Sequence, residues 1–183
     1  PTLRALSDML LRASRRTGRT IYILSDEPYR KLAYDNTPVP GILGLYPHSI
    51  VATSHSKDLS LPGERIGYIA VNPAADDAGR LVDGIILCTR ILGYVNAPAL
   101  MQRLVGKLRG PGVDVEIYRK KRDLLCSALA GMGYSFSVPQ GAFYLFPKAP
   151  GGNDIALAEA LQQELVLVVP GTGFSSPGWF RIA

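Results

Sequence analysis

The 183 residues are 47% hydrophobic and 19% charged, enough apolar content to build a core and too little charge for a disordered chain. A formal charge of +5 leaves an anionic ligand open, but the basic residues are spread along the chain. The one dense run, Arg119-Lys120-Lys121-Arg122, falls on a predicted helix just before Asp123 and reads as a solvated face rather than a nucleic-acid surface.

Leu3, Leu6, Met9, Leu10 and Ala13 recur at helical spacing and predict a helix over 2–17, ended at Gly18. The run 20–24 then reads as a buried strand. Ser25-Asp26-Glu27-Pro28-Tyr29 follows it directly. Polar residues at the carboxyl end of a parallel strand lie where open α/β sheets bind ligands, although an ordinary turn with a capping Asp has the same composition. A second strand is predicted at 50–52, followed by Thr53-Ser54-His55-Ser56-Lys57. Read alone, that lysine is an exposed loop cation.

The segment 61–65 is a turn whose Arg65 has the planar fork suited to a phosphate; a surface pair with Glu64 is the plainer reading. A strand at 66–71 ends on Asn72-Pro73, and helices are predicted at 74–88 and 98–107. Gly110-Pro111-Gly112 is the clearest break, so the expected division is a unit over 1–110 and another over 111–183. Beyond it come a helix at 113–130, a strand at 143–146, a helix at 155–164 and strands at 166–169 and 179–182. The last strand carries Arg181 between apolar neighbours, where snorkelling to solvent is one reading.

The predicted fold class is α/β: a mostly parallel sheet covered by helices, joined to a small α+β unit. Cys88 and Cys126 lack metal-ligand spacing, which favours reduced, buried thiols and no metal site. With no signal peptide and no membrane-length apolar run, a cytoplasmic location is expected.

Order and spacing join these separate signals. Asp26, Tyr29 three residues on, Lys57 after the next strand, Arg65 eight further and Arg181 near the end resemble the class I/II aminotransferases of fold type I. Residues 54–68, Ser-His-Ser-Lys-Asp-Leu-Ser-Leu-Pro-Gly-Glu-Arg-Ile-Gly-Tyr, are similar to that family's Schiff-base motif, and Asp26-Glu27-Pro28-Tyr29 to its Asp-Glu-x-Tyr. Asn96-Ala97-Pro98-Ala99, Gly141-Ala142-Phe143-Tyr144 and Pro170-Gly171 extend the likeness over essentially the whole chain.

The resemblance implies pyridoxal 5'-phosphate (PLP) as cofactor, with Lys57 as its Schiff-base lysine and as the catalytic base and acid. It implies Asp26 at the pyridine nitrogen, Tyr29 at the phenolate oxygen, and Ser54, Ser56 and Arg65 at the phosphate. Arg181 would grip the α-carboxylate of an amino acid or 2-oxo acid substrate. His55 falls at a variable position and is read as a packing residue; His48 receives no role. A homodimer is expected for the intact protein, with no nucleic-acid or membrane partner.

The family's Asn-Pro-x-x-Pro-x-Gly segment is expected just before Pro1, and a second phosphate loop, a ring-stacking aromatic and C-terminal helices are also missing from the likeness. On that basis the chain reads as a fragment that binds PLP weakly and transaminates little by itself. A carbon–sulfur lyase could reuse the same residues, and an aminotransferase-like effector domain of a transcription regulator could hold the cofactor without turnover.

Overall fold

The computed structural model describes residues 2–108, 110 and 112–183. It separates into two compact units, Pro1–Lys31 with Pro38–Val113 and Leu32–Thr37 with Asp114–Ala183. Pro111, at the centre of the break expected from sequence, lies outside the described residues.

In the first unit, α1 (Thr2–Thr17) packs Leu3, Leu10 and Leu11 onto a core of Ile42, Tyr46 and Val51, joined by Ile23 and Leu45. Positions 3, 10 and 11 share one face of a helix, so a single stripe covers the sheet. Full burial of such a side chain contributes about 1.5–3 kcal/mol, and these half-buried leucines contribute a part of that each. Three strands follow: β1 (Ile23–Asp26), β2 (Ser49–Ser54) and β3 (Gly67–Val71), with α2 (His55–Asp58) between the last two. The helices α3 (Ala78–Ile91) and α4 (Ala99–Lys107) complete the unit.

β1 pairs parallel to β2, and β3 runs antiparallel to β2. The sheet of described strands is therefore mixed, where the sequence led us to expect mostly parallel pairing. The connection over 27–48 is long enough for a parallel crossover, whereas 55–66 turns straight back. Both early strands run further than their apolar stretches, so Asp26, Thr53 and Ser54 belong to strands and Lys57 to a helical turn, not to open loops. At the far end of β3, buried Asn72 donates Nδ2 to the carbonyls of Leu43 and Tyr46 at 2.9 and 3.0 Å and ties the strand to the core.

The second unit holds α5 (Val115–Gly131), α6 (Asp154–Gln163) and a two-stranded antiparallel sheet of β4 (Val169–Pro170) and β5 (Phe180–Arg181). Asp114 and Asn153 cap the two helices by accepting from the N–H groups of Glu116 and Ala156. Instead of the strand expected at 143–146, the segment makes isolated bridges, Leu145 with Ile182 and Lys148 with Trp179. Pro147 has no N–H for a ladder, though its carbonyl accepts from Phe180.

Residues 32–37 join this unit through a bridge between Ala33 and Gly141. The approach is close enough that a Cβ at Gly141 would lie 2.7 Å from the Leu32 carbonyl oxygen. The same segment corrects the reading of the basic run. Arg122 is buried, its guanidinium lying 4.7 Å from the Tyr34 ring centroid and bonded to Asp35 at 2.6 Å and to Asp123 at 2.7 Å. Arg119 pairs with Glu116 and Asp123 along the exposed side of α5. The buried-thiol expectation also fails for Cys88, which is exposed, while Cys126 is half-buried. Among the described residues no helix is long and apolar enough to cross a membrane.

Candidate functional site

Alternation along the strands decides which residues share a face. Asp26 stands opposite Ala52, and Ala52 opposite Ile69, so Asp26, Ala52, Ser54, Gly67 and Ile69 lie on one side of the sheet. Ile23 and Val51 lie on the other side, in the core. The site face is partly roofed by α3, whose Val82, Ile85, Ile86 and Thr89 line a cavity of about 350 Å³ with Ala52, Ile69 and Val71. Asp26 is exposed there, and Ser54 half-buried.

The segments leaving the carboxyl ends of β1 and β2 are fastened together. The Glu27 N–H donates to the Ala52 carbonyl at 2.8 Å, and the Thr53 hydroxyl donates to the Glu27 carbonyl at 3.0 Å. Those bonds set Tyr29 beside the α2 turn, with Lys57 Nζ 5.8 Å from the Tyr29 ring centroid. Ser56 is half-buried in the same turn. Arg65 is exposed, takes a left-handed backbone (φ 50°, ψ 42°) that swings the chain into β3, and donates Nη1 to the Pro62 carbonyl at 2.8 Å. Within the first unit, one short stretch of chain thus carries two hydroxyls, an amine and a guanidinium, with a carboxylate and a phenol on the neighbouring strand's exit.

Arg181 belongs to the second unit and is half-buried. Its guanidinium lies between two rings, 4.7 Å from the Tyr144 centroid and 4.6 Å from that of Phe174. Its Nε is buried and has no hydrogen-bond partner among the described residues. A buried guanidinium N–H without an acceptor is costly, and an acceptor brought to it would remove that cost. The Phe174 segment is itself held by Asp154, whose buried carboxylate accepts from the N–H groups of Thr172 at 2.7 Å and Gly178 at 2.9 Å. These two backbone donors hold the Asp154 pKa down at about 2.

Sequence reasoning missed Tyr144 and Phe174 as the rings beside Arg181, and Asp154 as the anchor of the Phe174 segment. Tyr144 lay within a quoted motif, but nothing local marked any of the three as a neighbour of Arg181.

The sequence profile described as aminotransferase class I and II matches residues 4–183. The chain belongs to that family. The crystal structure of an amino transferase from Eubacterium rectale shares 43% identity and superposes with a TM-score of 0.94, covering 100% of this chain and 46% of its own. The aspartate aminotransferase of Thermotoga maritima superposes with a TM-score of 0.79 at 28% identity, over 99% of this chain and 46% of that one. The LL-diaminopimelate aminotransferase of Desulforudis audaxviator is 31% identical over 89% of this chain and 43% of its length. The chain therefore spans about half the length of the class I/II aminotransferases it matches.

Proposed function

We propose that the protein carrying this chain is a PLP-dependent aminotransferase that moves an amino group between an amino acid and a 2-oxo acid. The observation that carries this reading is Lys57 Nζ lying 5.8 Å from the Tyr29 ring, on segments that leave the carboxyl ends of a parallel strand pair. Family membership and relatives named for aspartate and LL-diaminopimelate support the substrate class.

The donor set fits the cofactor. Lys57 offers an amine for covalent attachment, Asp26 a carboxylate for a protonated ring nitrogen, and Tyr29 a hydroxyl for a phenolate oxygen. Ser54, Ser56 and Arg65 offer two hydroxyls and a bidentate fork for a phosphate. Bound there, PLP supplies an electron sink for the pair left behind when the substrate Cα–H breaks.

The chain's own residues supply the rest. Lys57 Nζ is the base that takes the Cα proton and the acid that returns one. Arg181 Nε, buried without an acceptor, receives the α-carboxylate and fixes the direction of the Cα–H bond. Tyr144 and Phe174 hold the flat face of that guanidinium between two rings and so fix its orientation.

Borohydride reduction of the PLP-loaded intact protein, followed by peptide mapping, tests the assignment. Label is expected on Lys57. Label on another lysine, or none, overturns it.

A further inference from the structure

Behind the Lys57 turn lies a charged cluster that the proposed chemistry does not use. Asp58, the residue after Lys57, is buried with 7% of its surface exposed. Lys31 Nζ lies 3.0 Å from its Oδ2, and His55 Nδ1 lies 3.2 Å from Oδ1 and 3.3 Å from Oδ2. Its backbone carbonyl accepts from the Val113 N–H at 2.8 Å. His55 and Asp58 are three apart in a helical turn and so share one side of it, whereas Lys57 leaves from another. The His55 backbone is also pinned, donating its N–H to the Ile66 carbonyl and accepting from Leu61 N–H.

The connection to Lys31 gives the cluster its reach. Lys31 follows Tyr29 by two residues, on the segment leaving β1, so the Asp58 carboxylate joins the arm that carries Tyr29 to the turn that carries Lys57. On that arm Arg30 pairs with Glu27 at 2.9 Å, which stiffens the segment from which Lys31 extends. The Lys31 side chain is 58% exposed and that of Asp58 only 10%, so the lysine reaches in from solvent to a fixed carboxylate. A buried carboxylate gripped from two sides holds its backbone in one place, because releasing either partner leaves a desolvated charge underpaired.

We propose that Asp58 is a positioning residue: held by Lys31 and His55, it sets the distance and direction between Lys57 Nζ and the Tyr29 side chain. It acts through the turn and touches neither cofactor nor substrate. The proposal rests on Lys57 being the attachment residue. A displacement of one ångström at such a group is enough to slow a reaction about a hundredfold, so a partial loosening is expected to cost about tenfold.

The test uses the PLP-loaded intact protein with Asp58→Asn, Asp58→Glu and Lys31→Met, read by circular dichroism in the absorption band of the lysine-bound cofactor and by steady-state kinetics. That band reports the geometry of the cofactor on its lysine and is insensitive to a loss of global stability in protein that remains folded. Asp58→Asn and Lys31→Met are expected to reduce its intensity about twofold and kcat about tenfold, with substrate KM within about twofold of wild type. Asp58→Glu is expected to recover part of both. Unchanged circular dichroism and kcat in Lys31→Met, whose exposed side chain makes it the variant that folds, overturns the proposal even if Asp58→Asn fails to fold. Borohydride mapping of wild type separates this outcome from a wrong assignment of Lys57: label on Lys57 with indifferent Asp58 and Lys31 variants sinks only the clamp.

Discussion

Ser54 faces Gly67 directly across the β2–β3 ladder, and a Cβ at position 67 would lie 2.9 Å from Ser54 Cα and 2.3 Å from the Thr53 carbonyl oxygen. Backbone cannot move aside as a flexible side chain can. Gly67→Ala is therefore expected to push β3 away from Ser54, at about 1–3 kcal/mol of stability, as overpacking costs elsewhere. Chemical denaturation measures that loss. A parallel PLP titration is expected to show weaker binding, since Ser54 is a proposed phosphate ligand; wild-type affinity would remove Ser54 from that role.

Arg181→Lys keeps the charge and loses the planar fork between Tyr144 and Phe174. A lysine ammonium cannot stack on both rings or bond a carboxylate through two parallel N–H groups. The expected result in the intact enzyme is a drop in kcat/KM of roughly 10–100-fold, the worth of about 1.5–3 kcal/mol for a hydrogen bond to a charged group. Steady-state kinetics with the preferred amino acid measures it, and an unchanged kcat/KM would take the substrate carboxylate away from Arg181.

Asp154 predicts an acid limb in stability. Its folded pKa of about 2 lies below the unfolded value of about 3.9, so ionised Asp154 stabilises the fold fully above the unfolded value. That contribution declines as pH falls from about 4 and is gone below about 2. Asp154→Asn is expected to be less stable than wild type at pH 7, with the gap narrowing below pH of about 4. Thermal unfolding of both proteins across that range is the measurement; a gap that stays constant would show that the carboxylate charge plays no part.

Arg122 and Asp35 meet across 87 residues of chain, and the arginine is the buried partner. The pairing holds the Asp35 carboxyl below its ordinary range, chiefly through the hydrogen bond from Arg122, and raises the Arg122 guanidinium in turn. Asp35 is half in solvent, which screens the pair, so Arg122→Met is expected to cost about 1–3 kcal/mol, mainly by leaving Tyr34 without its cation and the Pro139 carbonyl without a donor. A double-mutant cycle with Asp35→Asn, followed by urea denaturation, isolates the ion pair itself.

Local patterns were sufficient for the elements that face a core. Apolar period placed α1, α4, α5 and α6 within a few residues, because a helix that buries one stripe repeats that stripe in its sequence. They did less well where polar residues continue a strand. Asp26 and Ser54 read as loop because their side chains stand on the face away from the Val51 core, and Thr53 because its hydroxyl bonds the Glu27 carbonyl, yet their backbones pair across the sheet. The 143–146 strand went the other way: its apolar run is genuine, but Pro147 interrupts the pairing and the chain settles for single bridges.

The residues proposed to carry the chemistry were picked out for a similar reason. Lys57, Asp26, Tyr29, Ser54, Ser56, Arg65 and Arg181 stand in an order and spacing that resembles the family's, and that pattern needs no coordinates. Their support did not show. Asp58 looks like any polar neighbour of a lysine, Asp154 like a helix-capping residue, and Arg122 like one charge in a solvated run. Each draws its role from a partner distant in sequence or from backbone groups presented by a turn: Lys31 for Asp58, Thr172 and Gly178 for Asp154, Asp35 for Arg122. A sequence displays the groups that react because reactivity belongs to residue type. It hides the groups that hold them, because a carboxylate becomes a clamp only when folding buries it beside its partner and removes the water that would otherwise satisfy it.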